Sequence, residues 1–282
     1  MSEEWSIVVG IDEEPASRLA LDWAIDLAHG RPVRLRLVHA VDVLMPESAD
    51  AERILAEAAH RVEETAPGCP MDTVVADGPI PDALLRHAEG ADLLVIGSHR
   101  TRRWRSILTG DVPGRMARAE RCAVVVVPDD WAPHPGGDVV VGVADDDSSR
   151  EAIERAAEFA EVDGAALRLV HGWSPILPGD PALPPPVDLE TLHRDRLDDA
   201  LDAVRGGHPD LRVHGALLPG DAAHGLIQAS RTPELIVVGS HRHGVLAGAL
   251  LGSVARRLLR ESRTPLCIVP AGPDDAGAAL VR

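Results

Sequence analysis

The chain contains the stretch Asp92-Leu-Leu-Val-Ile-Gly-Ser-His-Arg-Thr-Arg-Arg-Trp-Arg-Ser-Ile-Leu-Thr-Gly-Asp111 and repeats its pattern in Glu234-Leu-Ile-Val-Val-Gly-Ser-His-Arg-His-Gly-Val-Leu-Ala-Gly-Ala-Leu-Leu-Gly-Ser253. Each copy opens with an acidic residue and four aliphatic residues, a short apolar run typical of a buried parallel strand. A glycine turn follows, and a further glycine precedes a predicted helix. Free N–H groups and the helix dipole favour an anion at such a helix start. Both copies therefore have the layout of an anion-binding site.

Alternating strands and helices surround the first copy. Besides the run that begins at Asp92, we predict strands at residues 5–11, 33–41, 70–76 and 123–127, and helices at residues 16–29, 47–65, 82–89 and 112–119. This alternation indicates an α/β fold, an open and doubly wound parallel sheet with helices on both faces.

The same pattern then starts again. Gly142 matches Gly10 at an offset of 142 − 10 = 132, and Gly239 matches Gly97 at an offset of 239 − 97 = 142. The ten additional residues are expected in the proline-rich stretch 175–187, between the second and third strands of the second repeat. The sequence therefore predicts two repeated five-stranded modules, at residues 1–130 and 138–271. Residues 131–137 form a predicted linker, and residues 272–282 a predicted disordered tail.

Composition narrows the classes of function. The chain has 45 acidic and 28 basic residues, a formal charge of −17 at pH 7, which argues against nucleic acid and anionic membranes as partners. No apolar run is long enough to span a membrane and the N-terminus is not signal-like, so we expect a cytoplasmic protein. The chain has no lysine, which excludes a Walker A lysine and a Schiff base. We interpret the three cysteines as reduced thiols.

The order of these motifs resembles the universal stress protein family in its tandem, two-module form. The motifs that carry the resemblance are Val-Val-Gly-Ile-Asp12, Gly97-Ser-His, Gly239-Ser-His, Leu251-Gly-Ser-Val254 and the Val-Pro endings at Pro128 and Pro270. The resemblance implies the strand order 3-2-1-4-5 in each module. It also implies pairing through the last strands, either between the two modules or between chains in a homodimer. ATP, with Mg²⁺, is the implied ligand, because many members of the family bind ATP although others do not.

The resemblance also assigns candidate nucleotide-binding residues. The ATP-binding pattern is Gly, two residues, Gly, nine residues, Gly and then Ser or Thr, with an aspartate at the end of the first strand. In the second module the matching and adjoining positions are Gly239, Ser240, Arg242, Gly252, Ser253 and Val254. In the first module they are Asp12, Val41, Gly97, Arg100 and Gly110.

Neither module has the complete pattern. Arg100 and Arg242 replace the second glycine, where a Cβ narrows the approach of a phosphate but a guanidinium can bind one. Ala144 replaces the aspartate in the second module. Asp111 replaces the hydroxyl in the first, where a carboxylate would satisfy the helix N–H groups itself and repel a phosphate. The second module thus keeps the phosphate half of the pattern.

Structural roles are the alternative for several of these residues. The glycines fit turns and helix starts, while Ser253, Asp111 and Asp12 fit helix caps. His39 and His171 end matching strands, which suggests shared packing or hydrogen bonding. We predict no metal ligands, because no histidines fall at ligand spacing with a carboxylate or cysteine. The acidic run 145–147 fits either Mg²⁺ or the start of a helix.

Three functions remain open. No nucleophile elbow, zinc-protease motif, Cys-x-x-Cys or dinucleotide fingerprint occurs, so we predict no catalytic residues and do not favour an enzyme. The first hypothesis is a stress-response regulatory protein that binds ATP or another adenine nucleotide in the second module. The second is a dimerising interaction protein of the same fold without a nucleotide. The third is a slow ATPase.

Overall fold

The structure is a computed structural model that describes residues 4–41, 50–98, 122–134, 136–144, 149–173, 188–229, 233–240 and 252–270. Several sequence-based expectations fall outside these residues: the helix at 112–119, the loops that follow the fourth strands, the proline-rich stretch and the tail.

The first repeat alternates strands and helices as expected. Its elements are β1 (Trp5–Gly10), α1 (Pro15–Gly30), β2 (Val33–Val41), α2 (Ala51–Thr65), β3 (Met71–Asp77), α3 (Ile80–His87), β4 (Leu93–Ser98) and β5 (Ala123–Pro128). Pro15 occupies the first turn of α1, where a missing N–H costs nothing.

The second repeat has the same order. Its elements are β6 (Asp138–Val143), α4 (Arg150–Asp163), β7 (Leu167–Trp173), α5 (Leu189–Gly207), β8 (Val213–Pro219), α6 (Ala222–Gln228), β9 (Pro233–Gly239), α7 (Ser253–Glu261) and β10 (Leu266–Val269).

The ten strands of the described residues form one sheet in the order β3-β2-β1-β4-β5-β10-β9-β6-β7-β8. Each half is parallel and reads 3-2-1-4-5 in the numbering of its own repeat, as the resemblance implied. The halves meet where β5 and β10 run antiparallel, with Cys267 opposite Val125. The last strands of the two repeats are therefore neighbours within one chain, which is the intrachain arrangement expected from the sequence.

Helices cover the two faces of the sheet differently. On one face α1, α2, α4 and α5 close over a single apolar cluster that draws on both repeats. Within it the Phe159 ring of α4 lies 5.4 Å from the Trp5 ring and 6.1 Å from the Trp23 ring, measured between centroids, in edge-to-face contacts. On the other face each repeat has an apolar cluster of its own. The repeats thus share one continuous core on the first face, while on the other face the half-buried Leu259 of α7 packs against both clusters.

Candidate functional site

The carboxyl ends of β6 and β9 are where the winding of the second repeat reverses. The two strands are neighbours and parallel, with Val141 beside Val237. The helices that follow them pack on opposite faces of the sheet, α4 in the shared cluster and α7 in the cluster of the second repeat. Such a reversal of winding leaves an opening above the strand ends, and ligands of open α/β sheets bind there.

The start of α7 lies at this same edge. The helix connects β9 to the parallel strand β10, so its chain returns from the carboxyl edge of the sheet to the amino edge. Gly252 and Gly239, two of the candidate residues, are therefore at one edge of the second repeat. Ser240 follows Gly239 directly, and its N–H donates to the carbonyl of Val269 at 2.8 Å.

The first turn of α7 has no side-chain cap among the described residues. Gly252 is the N-cap. Ser253 is exposed and is the first helical residue, so the alternative role of Ser253 as the cap is not what the structure shows. Val254 follows, half-buried. The N–H groups of this first turn precede the first intrahelical bond, from the Arg256 N–H to the Gly252 carbonyl at 3.0 Å.

The neighbouring helix start differs in charge. Asp221 caps α6, accepting the N–H of His224 at 2.8 Å, and this hydrogen bond is the main reason that the pKa of Asp221 is lowered. Arg257 of α7 contacts the Asp221 carboxylate at 2.8 Å. An acid thus occupies the start of α6, whereas the first turn of α7 contains no acidic residue.

The turn after the first strand is built alike in both repeats. In the first, the Ser17 hydroxyl accepts the N–H of Asp12 at 2.9 Å; in the second, the Ser149 hydroxyl accepts the N–H of Ala144 at 3.2 Å. The Asp12 carboxylate in turn accepts the N–H of Glu14 at 2.9 Å. Asp12 therefore braces the turn before α1 rather than capping the helix as the sequence suggested, because the N-cap of α1 is Glu14. Its position leaves it at the carboxyl edge of β1.

Gly97 has a packing role of its own. A Cβ at this position would lie 2.3 Å from the carbonyl carbon of Ala16 and 2.7 Å from the backbone nitrogen of Ser17. The start of α1 therefore packs directly on the end of β4, and only glycine fits between them. This requirement holds with or without a nucleotide.

The matching histidines share a hydrogen bond, as the sequence suggested. His39 Nδ1 lies 2.7 Å from the carbonyl of Ile11, and His171 Nδ1 lies 2.8 Å from the carbonyl of Val143. A carbonyl only accepts, so each Nδ1 carries the proton. Both contacts tie the second strand to the end of the first.

Val41 ends β2 and matches Trp173 at the end of β7. The carbonyl of Val41 accepts the N–H of Gly78 at 3.0 Å, and the carbonyl of Trp173 accepts the N–H of Gly220 at 2.8 Å. The two positions thus have the same place in the two repeats, although one side chain is aliphatic and the other aromatic.

A group of aromatic rings at this position was not predicted from the sequence. His171 Nε2 lies 2.8 Å from His193 Nδ1, and the His193 and Trp173 ring centroids are 5.6 Å apart at an interplanar angle of 32°. His193 belongs to α5, at the position that Ala51 has in α2 (193 − 142 = 51). The offset between the repeats was the only signal available, because contact between α5 and β7 depends on tertiary packing.

Three candidate residues, Arg100, Gly110 and Arg242, and the acidic run 145–147 lie outside the described residues. Within the part of the chain that is described, no group of three or more His, Cys, Asp or Glu residues is arranged to hold a metal ion. No helix in that part is long and apolar enough to cross a membrane.

Comparison with known proteins decides the family. The model of the universal stress protein family matches residues 6–128 and again residues 137–270. The chain belongs to the universal stress protein family. Two matches in succession show its tandem form, and they agree with the repeated strand order of the sheet.

Full-length relatives support this assignment. Universal stress protein Rv2623 of Mycobacterium tuberculosis is 31% identical over 288 residues, covering 93% of this chain and 95% of the relative. A universal stress protein of Mycolicibacterium smegmatis is 27% identical, covering 94% and 97%. The crystal structure of a universal stress protein from Archaeoglobus fulgidus has a TM-score of 0.69 over 95% of this chain and 98% of that one. At 17% identity, it supports the fold alone.

Proposed function

We propose that the chain is a regulatory binding protein of the universal stress type whose second module binds an adenine nucleotide, ATP with Mg²⁺. The observation that carries this proposal is the uncapped start of α7 at Gly252, at the same edge of the sheet as Gly239. On this proposal, nucleotide binding changes the contacts of the protein with its partners.

The phosphates would bind to the first turn of α7. The N–H groups of Ser253 and Val254 and the exposed Ser253 hydroxyl are donors, and the helix dipole favours negative charge there. Arg257 compensates the nearby Asp221 carboxylate. Arg242 follows Ser240 by two residues in sequence, and its guanidinium is expected to add a bidentate phosphate contact.

The first module is the weaker candidate. Its residues would be Asp12, Val41 and Gly97, with Arg100 and Gly110. Packing against α1 already accounts for Gly97, and bracing of a turn accounts for Asp12. The carboxylate of Asp111 would oppose a phosphate at the helix start that the sequence predicts near residue 112.

An interaction protein without a nucleotide is the second candidate function. The continuous sheet through β5 and β10 and the shared apolar core favour it, because they make the chain one extended scaffold. A homodimer would extend this scaffold. In either case we propose modules at 1–130 and 138–271 with a linker at 131–137, a cytoplasmic location, and no nucleic acid or membrane partner.

Thermal unfolding with and without ligand tests the nucleotide proposal. A ligand that binds the folded state raises Tm by mass action, so ATP with Mg²⁺ should raise the Tm of the protein. Comparing the Tm shifts with ADP, AMP and cyclic AMP shows which nucleotide binds most tightly. Gly252→Val should abolish the shift. Gly252 has φ −55° and ψ 158°, which every L-residue adopts, so the unliganded Tm should stay close to that of the wild type.

Either of two results would refute the assignment. One is a wild-type protein whose Tm does not respond to saturating nucleotide, which favours the interaction protein. The other is a Gly252→Val variant that keeps the full shift, which moves the nucleotide elsewhere.

A further inference from the structure

The carboxyl edge of the second module carries an aromatic surface that the first module lacks. It consists of Trp173, the last residue of β7, and His193 of α5, with His171 behind them. The matching residues of the first module are Val41 and Ala51, so only His39 is retained there. This surface is therefore a property of one module rather than of the common fold.

Hydrogen bonds orient the two histidines of this surface. His171 is 1% exposed and donates its Nδ1 proton to the carbonyl of Val143. In the neutral imidazole its Nε2 is then an acceptor, so the Nδ1 of His193 donates to it at 2.8 Å. This chain of two hydrogen bonds fixes the plane of the His193 ring. A surface that is already ordered loses little conformational entropy when a ligand stacks on it.

The rings lie on one side of the crevice. His171 and Trp173 are two residues apart in β7 and point to the same face, toward α5. Gly172 points to the opposite face, where a Cβ would lie 2.7 Å from the Cα of Ala222. Trp173 is half-buried at the carboxyl end of its strand.

The distance between the carboxyl ends of β7 and β9 suits a nucleotide. Strand β7 is separated from β9 by β6 alone, so their carboxyl ends are about 10 Å apart. A nucleoside triphosphate spans such a distance between its base and its terminal phosphates. With phosphates at the start of α7, the base would reach the ring of Trp173.

We propose that Trp173 and His193 form a stacking surface that selects a large aromatic base in the second module. Aromatic side chains bind bases through their π faces, and a purine offers more of this surface than a pyrimidine. The inference rests on the proposed nucleotide site of the second module. It adds the residues that determine base preference.

Comparing three ligands distinguishes binding of the base from binding of the phosphates. Titration calorimetry of the full chain with ATP, CTP and inorganic tripolyphosphate, each with Mg²⁺, measures base and phosphate binding independently. Trp173→Val and His193→Ala introduce side chains that the first module has at the same positions. Trp173→Phe keeps an aromatic ring. Leu192→Ala is the control, because Leu192 precedes His193 in the same helix and is 50% exposed.

The wild type should bind ATP more tightly than CTP, and CTP more tightly than tripolyphosphate. Trp173→Val should weaken ATP binding about tenfold, the loss of one stacked base, and leave tripolyphosphate unchanged. His193→Ala should weaken ATP binding less, while Trp173→Phe and Leu192→Ala should keep the wild-type ratio of ATP to tripolyphosphate affinity.

The result that overturns this inference is a ratio that stays the same in Trp173→Val while both ligands still bind. The proposed phosphate site would survive that result. If instead neither ATP nor tripolyphosphate binds the wild type, the proposed function itself fails, and the stacking surface fails with it.

Discussion

Glu234 has a carboxyl group whose protonation the fold changes. It begins the apolar run of β9, and its Oε2 is buried with no hydrogen-bond partner among the described residues. Burial, and after it the charges of Asp163 and Asp26, raises the pKa of Glu234 from 4.5 to about 7. Asp92, the matching residue of the first repeat, accepts the N–H of Ser6 at 2.8 Å. The carboxylate at this position is thus hydrogen-bonded in the first module, whereas in the second its Oε2 has no hydrogen-bond partner among the described residues.

Glu234→Gln should stabilise the protein at alkaline pH. The folded-state pKa of about 7 lies above the ordinary value of 4.5, so the folded state holds the proton more tightly. Stability therefore falls as pH rises from 4.5 through about 7, and a neutral glutamine avoids this loss. Allowing for solvent screening, we expect the free energy of unfolding to rise by about 1 kcal/mol at alkaline pH. This gain should shrink as pH falls. Urea unfolding across this range measures it.

Asp92→Asn is the matched control and should give no such gain, because its carboxylate is hydrogen-bonded. A gain in Glu234→Gln that is equal at acidic and alkaline pH would contradict the account of Glu234.

At the scale of single elements, β4 and the start of α1 are held in contact by Gly97. Gly97→Ala should cost about 3 kcal/mol, because its Cβ would lie 2.3 Å from backbone atoms that cannot move independently of the helix. Denaturant unfolding measures the cost. Gly142→Ala is the control: its Cβ would meet the Leu226 side chain at 3.4 Å and the Val238 side chain at 3.7 Å, both ordinary van der Waals contacts, so we expect less than about 1 kcal/mol. Equal costs would show that the close approach is not decisive.

The sequence predicted most elements, because the apolar runs of the strands and the helical spacing are local patterns. The bounds of β2, for example, agree at both ends. Helix α3 begins at Ile80 rather than at residue 82. The prediction placed Pro81 in the loop before the helix, but proline is well tolerated in the first turn of a helix. Strand β3 begins at Met71, one residue later than predicted.

The candidate site was only partly predictable. Gly239 and Gly252 follow from the motif and its repetition, and topology alone brings them to one edge. Trp173 and His193 were missed because they come from different elements, separated by 20 residues (193 − 173 = 20). The packing role of Gly97 was also hidden, since the sequence does not show how closely α1 approaches β4.

At the scale of the whole molecule, the two modules are joined by more than the β5–β10 seam. Phe159 of α4 lies in edge-to-face contact with Trp5 and Trp23 of the first module. Arg31 stacks on Trp5, with its guanidinium carbon 3.5 Å from the ring centroid, and donates to the carbonyl of Glu158 at 3.0 Å. These contacts join side chains of the first module to α4 of the second within the shared core.

Phe159→Ala should therefore weaken both modules. Removing a buried aromatic ring costs about 4 kcal/mol, and Trp5 and Trp23, which both contact the Phe159 ring, belong to the other module. Native-state hydrogen exchange should show lost protection in peptides from β1 as well as in peptides from β6. Loss confined to the second module would mean that the two modules are stable independently of each other.

The proposed function depends most on the start of α7 as the phosphate site of the second module. A crystal structure of the protein grown with ATP and Mg²⁺ tests this directly. We predict phosphate oxygens within hydrogen-bond distance of the N–H groups of Ser253 and Val254. A structure without nucleotide at saturating ATP, or with nucleotide bound only beside Asp12 and Gly97 in the first module, would contradict it.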